Sequence, residues 1–225
     1  MKSLNKLMVI VFSAFVTVGC KNNGTNLQLE KDSSFSKKYS SYILDYTFSD
    51  DGGEKDTLII NTPITFRLKN NSNDKFLYEN IRQGGYRYSP SVIIDKKKYN
   101  ALVLSKKTFI KPLDVSEITY FFQTPILKSK LEEEFKIKNQ LSDSKLGDSV
   151  IINKLTPFIE KEIVKNLNKE MFVIKLENLE SEKRIGIRYC FNKDKVIIYD
   201  VDSLVKANPR YIFSCDKEFY KKESK

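Results

Sequence analysis

The chain contains no histidine. Without an imidazole it lacks the usual proton acceptor poised near neutrality, the base of a standard serine or cysteine triad, and any histidine-ligated zinc. Enzyme chemistry would have to run on carboxylates alone, and two acidic stretches come into question. Glu132-Glu133-Glu134 falls in a helix-like segment, where three consecutive side chains fan through about 200° and cannot converge on one substrate. Asp50, Asp51, Glu54 and Asp56 are hard oxygen donors of the kind calcium takes, but their spacing does not fit an EF-hand loop, and an acidic hairpin turn is expected there. Gly84-Gly85 alone makes no phosphate cradle. The expectation is therefore no catalytic residue, no metal site and no cofactor.

Recognition has a better foothold in Ile81-Arg82-Gln83-Gly84-Gly85-Tyr86-Arg87-Tyr88-Ser89-Pro90. Tyr and Arg offer large contact area at modest entropy cost, and two glycines let a loop present them. Arg82, Tyr86, Arg87 and Tyr88 are the candidate binding residues, suited to a glycan or a protein partner. The same residues also fit a Gly-Gly turn with tyrosines alternating into a core, and the sequence leaves both open.

The elements that must position these residues are read from periodicity. Period-two apolar patterns broken by turn residues predict antiparallel strands from Tyr42 onward. The clearest is Pro63 to Lys69, with Ile64, Phe66 and Leu68 inward and Thr65, Arg67 and Lys69 outward; it stops at Asn70-Asn71-Ser72-Asn73-Asp74 and resumes at Lys75 to Tyr78. Further strands are predicted at Tyr42 to Phe48, Ser91 to Asp95, Asn100 to Leu104 and Glu117 to Gln123. After Pro125 the texture changes. Ile126 to Lys136 carries Leu127, Leu131 and Phe135 at helical spacing. Thr156-Pro157 supplies an N-cap and a first-turn proline, and Ile159, Ile163 and Leu167 form one stripe between Phe158 and Asn168. Strand patterns return at Met171 to Glu177, Arg184 to Phe191, Lys195 to Val201 and Arg210 to Ser214. The fold expected is mainly β with inserted helices, an α+β chain in which residues 40–125 form one β domain. Residues 126–225 form a helix-containing β region, either a separate domain or a continuation of the same core.

At the N-terminus, Lys2 and Lys6 precede Leu7 to Val16, an apolar run shorter than the roughly 20 residues that span a bilayer. The Val18-Gly19-Cys20 ending resembles the lipobox of bacterial lipoproteins, with Thr17 where an aliphatic residue is usual. The resemblance implies that residues 1–19 are a signal peptide and that Cys20 is acylated and partners membrane lipid. Each buried methylene contributes about 0.8 kcal/mol, so two or three acyl chains hold firmly where one does not. Residues 20–39 then read as a flexible tether. Lys21, with no acidic cluster behind it, points to an outer-membrane protein facing the periplasm. With Cys20 committed to lipid, Cys190 and Cys215 remain as the one pair for a disulfide in an oxidising compartment. The alternative of two free thiols stays open, because Cys190 falls in step with Arg188 and Gly186 on a polar face while Cys215 falls in step with Tyr211 and Phe213.

Ile64 to Ser72 and Leu113 to Phe122 resemble the immunoglobulin-like modules of bacterial envelope lipoproteins, over about Tyr42 to Pro125. That resemblance implies an antiparallel β-sandwich and no particular function. The charge balance, 39 Lys and Arg against 29 Asp and Glu, includes only six Arg, with basic side chains scattered among acids; that argues against base-edge readout, an exported lipoprotein meets no chromosome, and no nucleic-acid partner is expected. The function expected is that of a non-enzymatic, lipid-anchored envelope module binding an envelope protein or glycan. A periplasmic immunity or inhibitor lipoprotein is the alternative, and a carboxylate-dependent hydrolase ranks third.

Overall fold

The computed structural model describes residues 26–32, 38–44, 57–83, 91–101, 104, 108–135, 149–152 and 154–207. In chain order its strands are β1 (Leu27–Lys31), β2 (Ser41–Leu44), β3 (Thr57–Asn70), β4 (Phe76–Gln83), β5 (Ser91–Ile94), β6 (Lys97–Asn100), β7 (Phe109–Ile110), β8 (Val115–Leu127), β9 (Ser149–Ile152), β10 (Met171–Asn178), β11 (Arg184–Cys190) and β12 (Lys195–Asp200). The helices are α1 (Lys128–Phe135), α2 (Pro157–Leu167) and α3 (Val201–Ala207). The protein is mostly antiparallel β, arranged as two sheets. One runs β6-β5-β8-β3-β2-β9, with β1 added beside β3; the other runs β12-β11-β10-β4-β7.

The spine of the first sheet is the pairing of β3 with β8, from Thr57 opposite Leu127 to Lys69 opposite Val115. Strand β3 is rich in β-branched residues, which suit a pleated and packed surface. On its other side it meets two short partners in turn, β2 opposite Ile59 to Asn61 and β1 opposite Phe66 to Asn70. Pro63 falls in the gap between them, where a missing ladder N–H is tolerated. The predicted inward set Ile64, Phe66 and Leu68 is buried, and Arg67 is exposed. Thr65, expected outward, is buried as well, and its hydroxyl shares a 2.9 Å hydrogen bond with that of Thr119, its buried partner across the ladder.

Leu27–Lys31 corrects the expected tether. Leu27 and Leu29 alternate into the core while Gln28 and Glu30 face out, so this stretch joins the sheet as an edge strand. The first helix also starts later than its stripe suggested. Strand β8 continues through Pro125 to Leu127, which pairs with Thr57 and is partly exposed, and only from Lys128 is the chain helical. The strand expected at Asn100 to Leu104 lies instead at Lys97–Asn100. It is folded back on β5 by Asp95 and Lys96, both left-handed with φ of 47° and 73°, as a two-residue hairpin turn requires.

The inner faces of both sheets share one core. Phe66 of β3 stacks on Phe172 of β10 with centroids 4.2 Å apart, and Tyr120, Phe122, Tyr189 and Phe191 pack edge-on or tilted around them. Helix α2 forms as its sequence predicts: the Thr156 hydroxyl accepts from the Ile159 N–H, Pro157 occupies the first turn, and Ile159, Ile163 and Leu167 are buried. Hydrogen bonding crosses Pro125 in both sheets, since β2 pairs with β9 and β4 pairs with β10. No helix among the described residues is long and apolar enough to cross a membrane.

Candidate functional site

Arg82 is the one candidate binding residue of the Tyr–Arg stretch that lies among the described residues, near the end of β4. Its surroundings follow from register. Arg82 is opposite Val173, Val173 is opposite Arg188, and Arg188 is opposite Ile197. Partners in a ladder share a face, so Arg82, Val173, Arg188 and Ile197 lie in one row across the outer face of the second sheet. The next row is Asn80, Lys175, Gly186 and Tyr199. Beyond it, Glu177 is opposite Arg184. The register shift between Lys175 and Leu176 leaves Glu79 as the extra residue of a bulge beside Lys175.

This face gathers like charge. Partial burial, then the guanidiniums of Arg82 and Arg184, hold the Lys175 ammonium below the usual lysine range, with Glu79 opposing them. Arg184 is tied to Asp202 at the start of α3, its Nε donating to Oδ1 at 2.9 Å, and this pair holds the Asp202 carboxyl below its ordinary range. Arg188 is fully buried, with its guanidinium carbon 5.1 Å from the centre of the Tyr199 ring. Tyr199 packs with Val201 and Leu204 in a small apolar cluster beside it. Gly186 makes that packing feasible: a Cβ there would lie 2.1 Å from the Tyr199 ring.

The inner side of the same strand end is clamped. The Gln83 backbone N–H donates to the Tyr120 hydroxyl at 2.9 Å. Its side-chain amide pairs with the Gln123 backbone, accepting from N–H at 2.9 Å and donating to C=O at 3.2 Å. Glu170 also reaches Gln83, and burial pushes its carboxyl above the usual range despite that contact. Gln83 thereby acts as a short extra rung between the sheets and fixes the point from which residues 84–90 depart. Val173 and Arg188 of this face are fully buried, so the cations an anionic or hydroxyl-rich partner could reach are the partly exposed Arg82 and Lys175 and the exposed Arg184.

Tyr86, Arg87, Tyr88, Cys20, Cys215, the acidic stretch Asp50 to Asp56 and the strand expected at Arg210 to Ser214 lie outside the described residues. Cys190 is fully buried on the outer face and carries a disulfide. Among the described residues, no three Cys, Asp or Glu side chains gather as a metal site would need. Sequence reading missed Lys175 as a neighbour of Arg82 and Tyr199 as a neighbour of Arg188. Alternation placed Arg188 on the polar face of its own strand, but nothing local revealed that β10 pairs with β4. No protein-family model matches the chain, and no curated protein matches it either.

Proposed function

We propose that this is a lipid-anchored, non-enzymatic protein of the cell envelope whose immunoglobulin-like β core holds an envelope glycan or partner protein. The partner lies against the outer face that carries Arg82 and Lys175. The lipobox resemblance supports the anchor at Cys20. The two antiparallel sheets support the fold at the level of a β-sandwich, and the immunoglobulin-like identity rests on the Ile64 to Ser72 and Leu113 to Phe122 stretches.

The observation that carries the binding role is the placing of Lys175 among Arg82 and Arg184. Lys175 lies diagonal to Arg82 and Arg184 on one face, with Glu79 beside it and Arg184 held by Asp202. A lysine disfavoured chiefly by its own burial is a candidate contact for a partner of opposite charge. Two substitutions separate the parts of the proposal. Cys20→Ser is expected to move the protein from the membrane fraction to the soluble fraction, and unchanged partitioning removes the anchor. Arg82→Ala is expected to weaken retention of the partner while leaving partitioning as it was; unchanged retention removes the site.

A further inference from the structure

Three turns and one strand start meet at a single end of the two sheets. The turn between β3 and β4 is built on Asn70, whose side chain donates to the Asp74 and Lys111 carbonyls at 2.7 and 2.9 Å and accepts from Ser72. The β7–β8 turn is pinned to it by Leu113 N–H donating to Ser72 C=O at 3.1 Å, and the β10–β11 turn by Leu179 N–H donating to Lys75 C=O at 3.0 Å. The Asn71 N–H donates to the Asn26 carbonyl at 2.8 Å, so the chain enters β1 at this same end.

Among the charged residues of these turns, three apolar side chains stand exposed. Leu113 is 71% exposed, Val115 50% and Leu179 45%. Leu113 also has φ of 53°, a left-handed conformation disfavoured for a leucine, so the turn holds a large apolar side chain outward at some cost in strain. Only five residues, Lys21 to Thr25, separate Asn26 from Cys20. Six Cα-to-Cα steps reach at most about 20 Å.

We infer that this end is the membrane-docking face: Leu113, Val115 and Leu179 seat in the headgroup layer of the leaflet that holds the acylated Cys20. The inference rests on the lipid-anchor reading, since the short link then leaves this end of the fold no room to stand far from the bilayer. Surface-seated apolar side chains sink about 5–10 Å into the headgroup and acyl boundary. Charge is not the driving force, because Lys111 and Lys183 are offset locally by Asp114, Glu180 and Glu182. A zwitterionic bilayer should therefore suffice. Docking this way turns α2, which leads into the opposite end of β10, away from the membrane.

The chain has no tryptophan, so a single introduced one reports its own depth. The full acylated protein is reconstituted into phosphatidylcholine vesicles with and without brominated acyl chains, as Leu113→Trp, Leu179→Trp and Phe158→Trp variants, and flotation is scored alongside emission. The expected result is that all three float, that Leu113→Trp and Leu179→Trp lose most of their emission to the brominated lipid, and that Phe158→Trp, on α2, keeps its emission. Leu179→Trp carries the test if the strained Leu113 turn does not accept the larger ring. Flotation with equal quenching at all three positions overturns the docking face and leaves the anchor standing. Failure to float overturns the anchor, and this inference with it.

Discussion

Gly186 offers a sharp test of how the outer face is packed. Its ladder partner is Tyr199, and a Cβ at 186 would lie 2.1, 2.3 and 2.6 Å from Cζ, Cε2 and the hydroxyl oxygen of that ring. No real contact is so short, so Gly186→Ala must push the ring away. The ring has little freedom to yield, being 8% exposed and packed on Val201 and Leu204. Overpacking of this kind costs about 1–3 kcal/mol. Against it stands the reduced freedom of the unfolded chain, which favours alanine over glycine by about 0.4–1 kcal/mol. The net expectation is a loss of about 1–2 kcal/mol, or a fall of about 2–8 °C in Tm for a chain of this size. Urea denaturation of four proteins checks it: wild type, Gly186→Ala, Tyr199→Ala and the double variant. Once Tyr199 is alanine, Gly186→Ala should be neutral or stabilising by up to about 1 kcal/mol. An equal cost of Gly186→Ala in both backgrounds would refute the argument, since the loss could not then come from the ring.

Other consequences are as direct. Thr156→Ala should cost about 1 kcal/mol by urea midpoint, with Thr156→Ser restoring most of it, because the hydroxyl caps the Ile159 N–H at the start of α2. Glu170 has a folded-state pKa raised by burial, so the stability linked to it is fully present below the usual glutamate range and is lost as pH rises through the folded value. Glu170→Gln should therefore match wild type in acid and exceed it in denaturation midpoint near neutrality; a less stable variant at neutral pH would mean that the charged contact with Gln83 outweighs the burial. On the lipoprotein reading the disulfide of Cys190 is with Cys215, and non-reducing peptide mapping should recover that linkage. Its reduction should cost roughly 3 kcal/mol, and a linkage of Cys190 to Cys20 would contradict acylation of Cys20.

Sequence carried the fold furthest where a local pattern and a tertiary partner agreed. In β3 the alternation of Ile64, Phe66 and Leu68 gave the buried face because an entire second sheet lies over it. Thr156-Pro157 gave the start of α2 because capping is decided within one turn. Where a partner strand decided the outcome, local pattern fell short. Leu27–Lys31 has two apolar residues among polar ones and becomes a strand only because β3 extends past β2 and offers an open edge. Ile126 and Leu127 look like the first turn of a helix, yet their places opposite Leu58 and Thr57 keep them extended. Asp95-Lys96 lacks the glycine expected of a tight hairpin, which moved the predicted β6 off by several residues.

The candidate site was legible only in part, for the same reason. Arg82 stood out by its composition. Lys175 comes from the far end of the chain and reaches the neighbourhood of Arg82 through the pairing of β4 with β10, which no short stretch encodes. Thr65 to Asn70 and Val173 to Asn178 end alike: in each, a strand closes on an Asn whose Oδ1 accepts from the backbone N–H two residues on, at Ser72 and at Glu180.

The most direct test of the binding face is Lys175→Met, compared with wild type by affinity purification of the anchored protein from its native envelope, with retained proteins and glycans identified by mass spectrometry. Removing a charge that burial and two guanidiniums disfavour should leave the free protein at least as stable. This variant, at least as stable as wild type, should lose the partner that wild type retains. Retention of the same partner at the same yield would contradict it, and would make the cationic face a feature of packing alone.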